Sequence, residues 1–149
     1  MIRRLGFVWK MLPPWLRLKL IRVTQIKFTA SAAAVITNDQ GKVLLLDHVL
    51  RPFSGWGIPG GFMSVGEQPE ETIRRELREE TGIELDALTM VRIKTLGRHL
   101  EIIFCAKALG EPEVMSHEIL ALGWFDVDAM PTKMSNAQKK LIRGIISSI

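Results

Sequence analysis

Gly60-Gly61-Phe62-Met63-Ser64-Val65-Gly66-Glu67-Gln68-Pro69-Glu70-Glu71-Thr72-Ile73-Arg74-Arg75-Glu76-Leu77-Arg78-Glu79-Glu80-Thr81-Gly82-Ile83 is the stretch whose reading decides the fold. Residues 68–81 are charged and helix-favouring. Pro69 occupies a first helical position, where proline is tolerated, and Gly82 stands where a helix stops. At ~100° per residue, Glu80 falls about 40° and Glu79 about −60° from Glu76. Ile73 and Leu77 fall about 60° and 100° from Glu76, so the three acids border the face that should pack inward. Arg74 and Arg78 are expected on the solvent side. A solvated helix face explains a pair such as Glu70–Arg74. It does not explain three neighbouring anions beside an apolar stripe, which repel one another and are costly to desolvate. A divalent cation is the natural remedy. Oxygen donors without cysteine or paired histidine point to Mg²⁺, with Mn²⁺ as the alternative. The Gly60-Gly61 turn lets backbone come close to a metal or a phosphate.

Upstream, Phe28–Ile36 is small and β-branched and reads as a buried strand. A turn signal follows at Asn38-Asp39-Gln40-Gly41, then a second strand at Lys42–Leu46, and the two read as a hairpin. Residues 48–61 form a loop. Downstream, residues 87–96 and 99–109 read as strands joined near Gly97, and 120–127 as another strand. Ser135 is placed to cap a final helix over 137–146, with Leu141, Ile142 and Ile145 on one face. Strands interleaved with two or three helices predict a mixed α/β or α+β domain.

The 149 residues suit one domain with a short appendage. The net charge of +4 hides a split: residues 1–38 hold seven bases and no acid, and the remainder holds 13 bases and all 16 acids. A basic end on a mildly acidic body argues against a nucleic-acid partner. The lone Cys105 excludes an internal disulfide framework and fits a reducing, cytoplasmic setting. Residues 1–24 form a basic segment ahead of a domain at 25–149. No apolar run within the segment resembles a signal peptide or a spanning helix. Residues 2–12 read as an amphipathic helix ended by Pro13-Pro14, and 16–20 alternates like a strand, with a helix equally open. Two roles compete for this segment: packing on its own domain or on a partner in a homodimer, and peripheral contact with an anionic membrane.

The quoted stretch resembles the Nudix box, G-x5-E-x7-R-E-U-x-E-E-x-G-U, with U aliphatic. Gly61, Glu67, Arg75, Glu76, Leu77, Glu79, Glu80, Gly82 and Ile83 fill every specified position. The resemblance implies an α/β/α sandwich around a mixed sheet. It also implies hydrolysis of a nucleoside diphosphate linked to another group X, by metal-activated water attacking a phosphorus. By position, Glu79 and Glu80 are the main metal ligands, and Glu76 is a further ligand or the base. Glu67 and the carbonyl of Gly60 or Gly61 are additional ligand candidates. Arg75 is implied to hold Glu76 in place. Glu118 resembles a later-loop carboxylate that serves some members as general base. Ser64 stands where many boxes carry another glutamate.

Substrate contacts are expected from Arg51, Phe53 and Trp56, with His48 also placed to meet phosphate. Markers outside the box are informative by their absence. No proline occurs between Pro69 and Pro112, where ADP-ribose hydrolases tend to carry one, and the chain has no tyrosine, which dinucleoside polyphosphate hydrolases tend to use. The expected substrate is a nucleoside triphosphate or a nucleotide sugar or alcohol. The alternative is a Nudix-fold module that binds a nucleotide without turnover. A prenyl diphosphate isomerase is disfavoured, because Cys105 reads as a core residue.

Overall fold

In the computed structural model, residues 9–51 and 55–148 are described. Their elements run α1 (Pro14–Thr24), β1 (Thr29–Thr37), β2 (Val43–His48), β3 (Trp56–Gly57), β4 (Gly60–Phe62), α2 (Pro69–Thr81), β5 (Glu84–Leu96), β6 (His99–Leu109), β7 (Ile119–Phe125) and α3 (Asn136–Ile146).

The centre is β1, whose run of alanines, valine and isoleucine is buried on both faces. Alternation sends its side chains two ways. Ala32, Ala34 and Ile36 join Ile73 and Leu77 of α2 in one cluster, with Phe104 of β6. Ala33 and Val35 join Leu141, Ile142 and Ile145 of α3 in another. One helix therefore covers each face of a seven-stranded mixed sheet, ordered β3-β2-β1-β6-β5, with β4 paired to β1 and β7 to β2. This is the α/β/α arrangement implied by the resemblance.

The expected β1–β2 hairpin forms, but it is short. The two strands are antiparallel neighbours, but their register is a single pair at the turn, Thr37↔Val43. The long partner of β1 is β6, parallel from Thr29↔His99 to Thr37↔Lys107. On its other edge β4 and the Pro59 carbonyl take β1 from Ser31 to Ala34, which leaves β2 only the turn end. The β5–β6 hairpin forms as expected, with Leu96↔His99 closing a two-residue turn whose first residue, Gly97, has φ +60°.

The helix expectations hold for α2 and α3. Glu71 and Gln68 complete a capping box, Pro69 starts α2, and Gly82 ends it in the left-handed region at φ 72°. The Ser135 side chain accepts a hydrogen bond from the Gln138 backbone N–H, as an N-cap should. At the amino end, residues 14–24 are helical rather than extended. Of the helix expected over 2–12, residues 1–8 lie outside the described residues, and residues 9–11 are helical.

Leu77 is fully buried between α2 and the sheet. Leu77→Ala is expected to destabilise the fold by about 2–5 kcal/mol in urea unfolding. Val65→Ala, at a fully exposed position, is expected to stay within about 0.5 kcal/mol.

Candidate active site

The loop between β3 and α2 is held tightly against β1. Gly60 pairs with Ala33, Gly61 with Ala32 and Phe62 with Ser31. Gly60 adopts φ +153°, and a Cβ there would strike the Ala32 carbonyl oxygen and the Ala33 backbone. Beneath the loop lies Glu76, so close that a Cβ on Gly61 would land on its carboxylate. Gly60 is thus needed for the box to lie flat on the sheet, and a side chain at Gly61 would displace the Glu76 carboxylate.

Arg75 gathers the acids. Its Nε donates to Glu67 Oε1 at 2.8 Å, one terminal nitrogen donates to Glu76 Oε1 at 2.8 Å, and the same nitrogen reaches Glu79 Oε2 at 3.3 Å. The other terminal nitrogen donates to Glu67 Oε2 at 3.1 Å and to the Phe62 carbonyl at 3.3 Å. One guanidinium therefore ties α2 to both ends of the glycine loop. Glu67 also accepts from the Ser64 backbone N–H at 2.9 Å. The Arg75 hydrogen bond, helped by that N–H, holds the Glu67 carboxyl down at about 2. The paired carboxylates raise the guanidinium of Arg75 above its usual range, chiefly through Glu67. Burial pushes the Glu76 carboxyl up, Arg75 pulls it back, and neighbouring Glu80 and Glu79 add to the rise.

Glu80 is the most enclosed acid of the helix, 6% exposed. Its Oε1 lies 3.4 Å from His48 Nε2 at the end of β2, and its buried Oε2 finds no hydrogen-bond partner among the described residues. An orphaned buried carboxylate oxygen is costly unless something positive meets it. Glu79 is outermost, its side chain 60% exposed. Among the described residues no three His, Cys, Asp or Glu groups already converge as a metal cluster; Glu67, Glu76 and Glu79 are instead turned to Arg75. The donor set is nevertheless all oxygen, and the free Glu80 oxygen and the close glycine backbone fit a hard divalent cation.

Beside this acid group opens a cleft of about 240 Å³, lined by Arg51, Gly60, Gly61, Phe62, Glu101 and Gln138 among others. Arg51 donates to the Ile58 carbonyl at 2.8 Å and lies 3.4 Å from His48 Nε2, while its other terminal nitrogen, Nη1, is buried without a partner among the described residues. Burial lowers the pKa of its guanidinium, against the attraction of Glu80 and Glu101.

The remaining expected site residues are more dispersed. Phe53 lies outside the described residues. Trp56 is half-buried and meets Phe125 edge to face at 5.2 Å, so its ring packs the α3 side of the sheet. The Glu118 side chain is exposed, and its carbonyl accepts from the Val49 N–H at 2.9 Å, which brings its loop beside His48. Arg74, expected in solvent, donates to the Leu85 carbonyl at 2.7 Å.

Two residues outside the motif, Glu101 and His99, also stand near the site. Glu101 lines the cleft and pairs with Lys94 at 2.8 Å. His99 lies between the Thr29 and Ser31 hydroxyls, at 2.8 and 2.9 Å. A signal for Glu101 existed: a two-residue turn at 97–98 places Lys94 opposite Glu101. Nothing local marked Gln138, which reaches the cleft from α3.

The family model for the NUDIX domain matches residues 27–145. The chain belongs to the NUDIX family. A MutT-like protein of Streptomyces ambofaciens is 34% identical to this Nudix hydrolase over 110 residues, covering 72% of the chain and 70% of the relative. A Methanocaldococcus jannaschii protein named an ADP-ribose pyrophosphatase is 27% identical over 121 residues, 76% of the chain and 71% of the relative. The crystal structure of a MutT Nudix hydrolase from Burkholderia pseudomallei superposes with a TM-score of 0.70 at 29% identity, covering 79% of this chain and 98% of that one.

The Glu67–Arg75 pair sets a pH signature. The Glu67 pKa falls from 4.5 to about 2 on folding, so its stabilisation is present above about 4.5 and is lost as pH falls toward 2. In EDTA, Glu67→Gln is expected to melt below wild type at neutral pH, with the gap in Tm closing progressively below pH ~4.5.

Proposed function

We propose that this Nudix hydrolase is a Mg²⁺-dependent pyrophosphohydrolase of a nucleoside diphosphate linked to a group X, a nucleoside triphosphate or a nucleotide sugar or alcohol, working in the cytoplasm. The observation that carries the reading is the buried Glu80 carboxylate with an unpaired oxygen, beside the half-buried Glu76 under Gly61. Glu76, Glu79 and Glu80, with Glu67 and the Gly61 carbonyl, would hold the ion, Mn²⁺ being able to replace Mg²⁺. When bound, the ion supplies positive charge against the diphosphate and makes a nearby water easier to deprotonate.

The chain's own groups do the rest. Arg75 keeps Glu76 aimed at the underside of Gly61, and thereby holds acids together that would otherwise repel. Glu76 or Glu118 takes the proton from the attacking water. Glu76 is the half-buried candidate, and burial pushes its carboxyl up against the pull of Arg75. Glu118 is on a loop whose backbone bonds to Val49. Arg51 offers an unpaired buried N–H to the cleft, where a phosphate or carbonyl oxygen of the substrate would accept it. Phe53 and Trp56 are the candidates to stack a base of the substrate. The archaeal relative's name brings ADP-ribose into consideration; the absence of the proline marker favours the other nucleotides.

The test is phosphate or pyrophosphate release from nucleoside triphosphates, ADP-ribose and nucleotide sugars, with and without Mg²⁺. Wild type is expected to turn over at least one class only with the metal, and Glu79→Gln to lose about a hundredfold or more in kcat. Binding of a nucleotide without turnover by wild type across the panel would favour the non-hydrolytic module.

A further inference from the structure

α1 is a helix without a home. None of its residues is buried, although Trp15, Leu16, Leu18, Leu20, Ile21 and Val23 make up more than half of it. A helix on the surface of a soluble domain normally hides one apolar stripe and shows water a polar face. Here the exposed positions include Trp15, Leu18, Leu20, Ile21 and Val23, and the chain beyond adds Ile26 and Phe28. Trp15, Leu18, Ile21 and Ile26 line an open groove of about 870 Å³ together with Lys19, Arg22 and Lys27.

Charge decides which partner suits this surface. The three bases are exposed, and residues 1–38 contain seven bases and no acid to neutralise them. A symmetric pairing of two such segments would set bases against bases. Glu67, Glu76 and Glu79 are turned to Arg75 and Glu80 is buried, so the acids of the site offer this segment little. An anionic lipid surface satisfies both demands at once. Apolar side chains enter the acyl boundary, tryptophan prefers the interface, and the long stems of lysine and arginine carry their charges back to the headgroups.

We propose that α1 and the chain that follows it through Lys27 dock the hydrolase peripherally on an anionic lipid bilayer. Among the described residues no helix is long and apolar enough to cross one, so contact is by the surface.

The experiment is co-sedimentation of the full chain with vesicles of phosphatidylcholine alone or mixed with phosphatidylglycerol. The expected result is pelleting only with the anionic vesicles, falling at least about fivefold as salt rises from ~0.1 M to ~0.5 M. The triple variant Lys19→Gln, Arg22→Gln, Lys27→Gln should bind at least about tenfold more weakly. Its Tm and its hydrolysis of soluble nucleotides should stay at wild-type values. Trp15→Ser should also bind more weakly and show a smaller fluorescence blue shift than wild type shows with anionic vesicles. Any of three results overturns the proposal: no pelleting at low salt, equal pelleting with neutral vesicles, or a lipid-free dimer in light scattering that Trp15→Ser with Leu18→Ser converts to monomer.

Discussion

Arg75 is the constraint on which the rest of the site depends. Four acids, Glu67, Glu76, Glu79 and Glu80, stand along one loop and one helix, and three of them reach the same guanidinium. Without a cation between them their mutual repulsion would splay the glycine loop away from α2 or raise their pKa values until they protonate. Arginine suits the task better than lysine, because its planar fork serves two directions at once. Here it serves Glu67 with one edge and Glu76 with the other nitrogen, and still touches the Phe62 carbonyl. Glu80 is the exception. It is buried beyond the reach of Arg75, beside His48, and keeps an unsatisfied oxygen. The positive charge it lacks is the part of the site that a metal ion would supply.

The sheet makes that arrangement affordable. β1 is built from side chains small enough for β4 to lie along it while helices cover both faces. Leu77 and Ile73 anchor α2 in the core, so the carboxylates one turn away are fixed relative to the loop. Rigidity of this kind matters more for catalysis than the stability of any one ion pair, since misplacement by an ångström costs orders of magnitude in rate. Gly60 and Gly61 are where backbone, sheet and carboxylate meet too closely for any side chain.

Much of this was legible in the sequence, for local reasons. Pro69, the Gln68–Glu71 cap and Gly82 write the ends of α2 into adjacent residues, and the helix period places the acids beside Ile73 and Leu77. What escaped was non-local. The parallel pairing of β1 with β6 joins residues about seventy apart, and no turn residue announces it. The His48–Glu80 contact and the arrival of Gln138 at the cleft depend on the same long-range packing. For α1, alternating Leu and basic residues fit a strand as well as a helix, and the proline pair tipped it to a helix that starts at Pro14.

The central claim, that these carboxylates form a metal site organised by Arg75, is met most directly by measuring Mn²⁺ binding with electron paramagnetic resonance in the absence of nucleotide. The account predicts saturable binding by wild type, loss of about tenfold or more in affinity for Glu80→Gln, and a smaller but clear loss for Arg75→Lys, whose charge is kept but whose fork is gone. Equal Mn²⁺ affinity in all three proteins, with each folded to the same Tm, would contradict it.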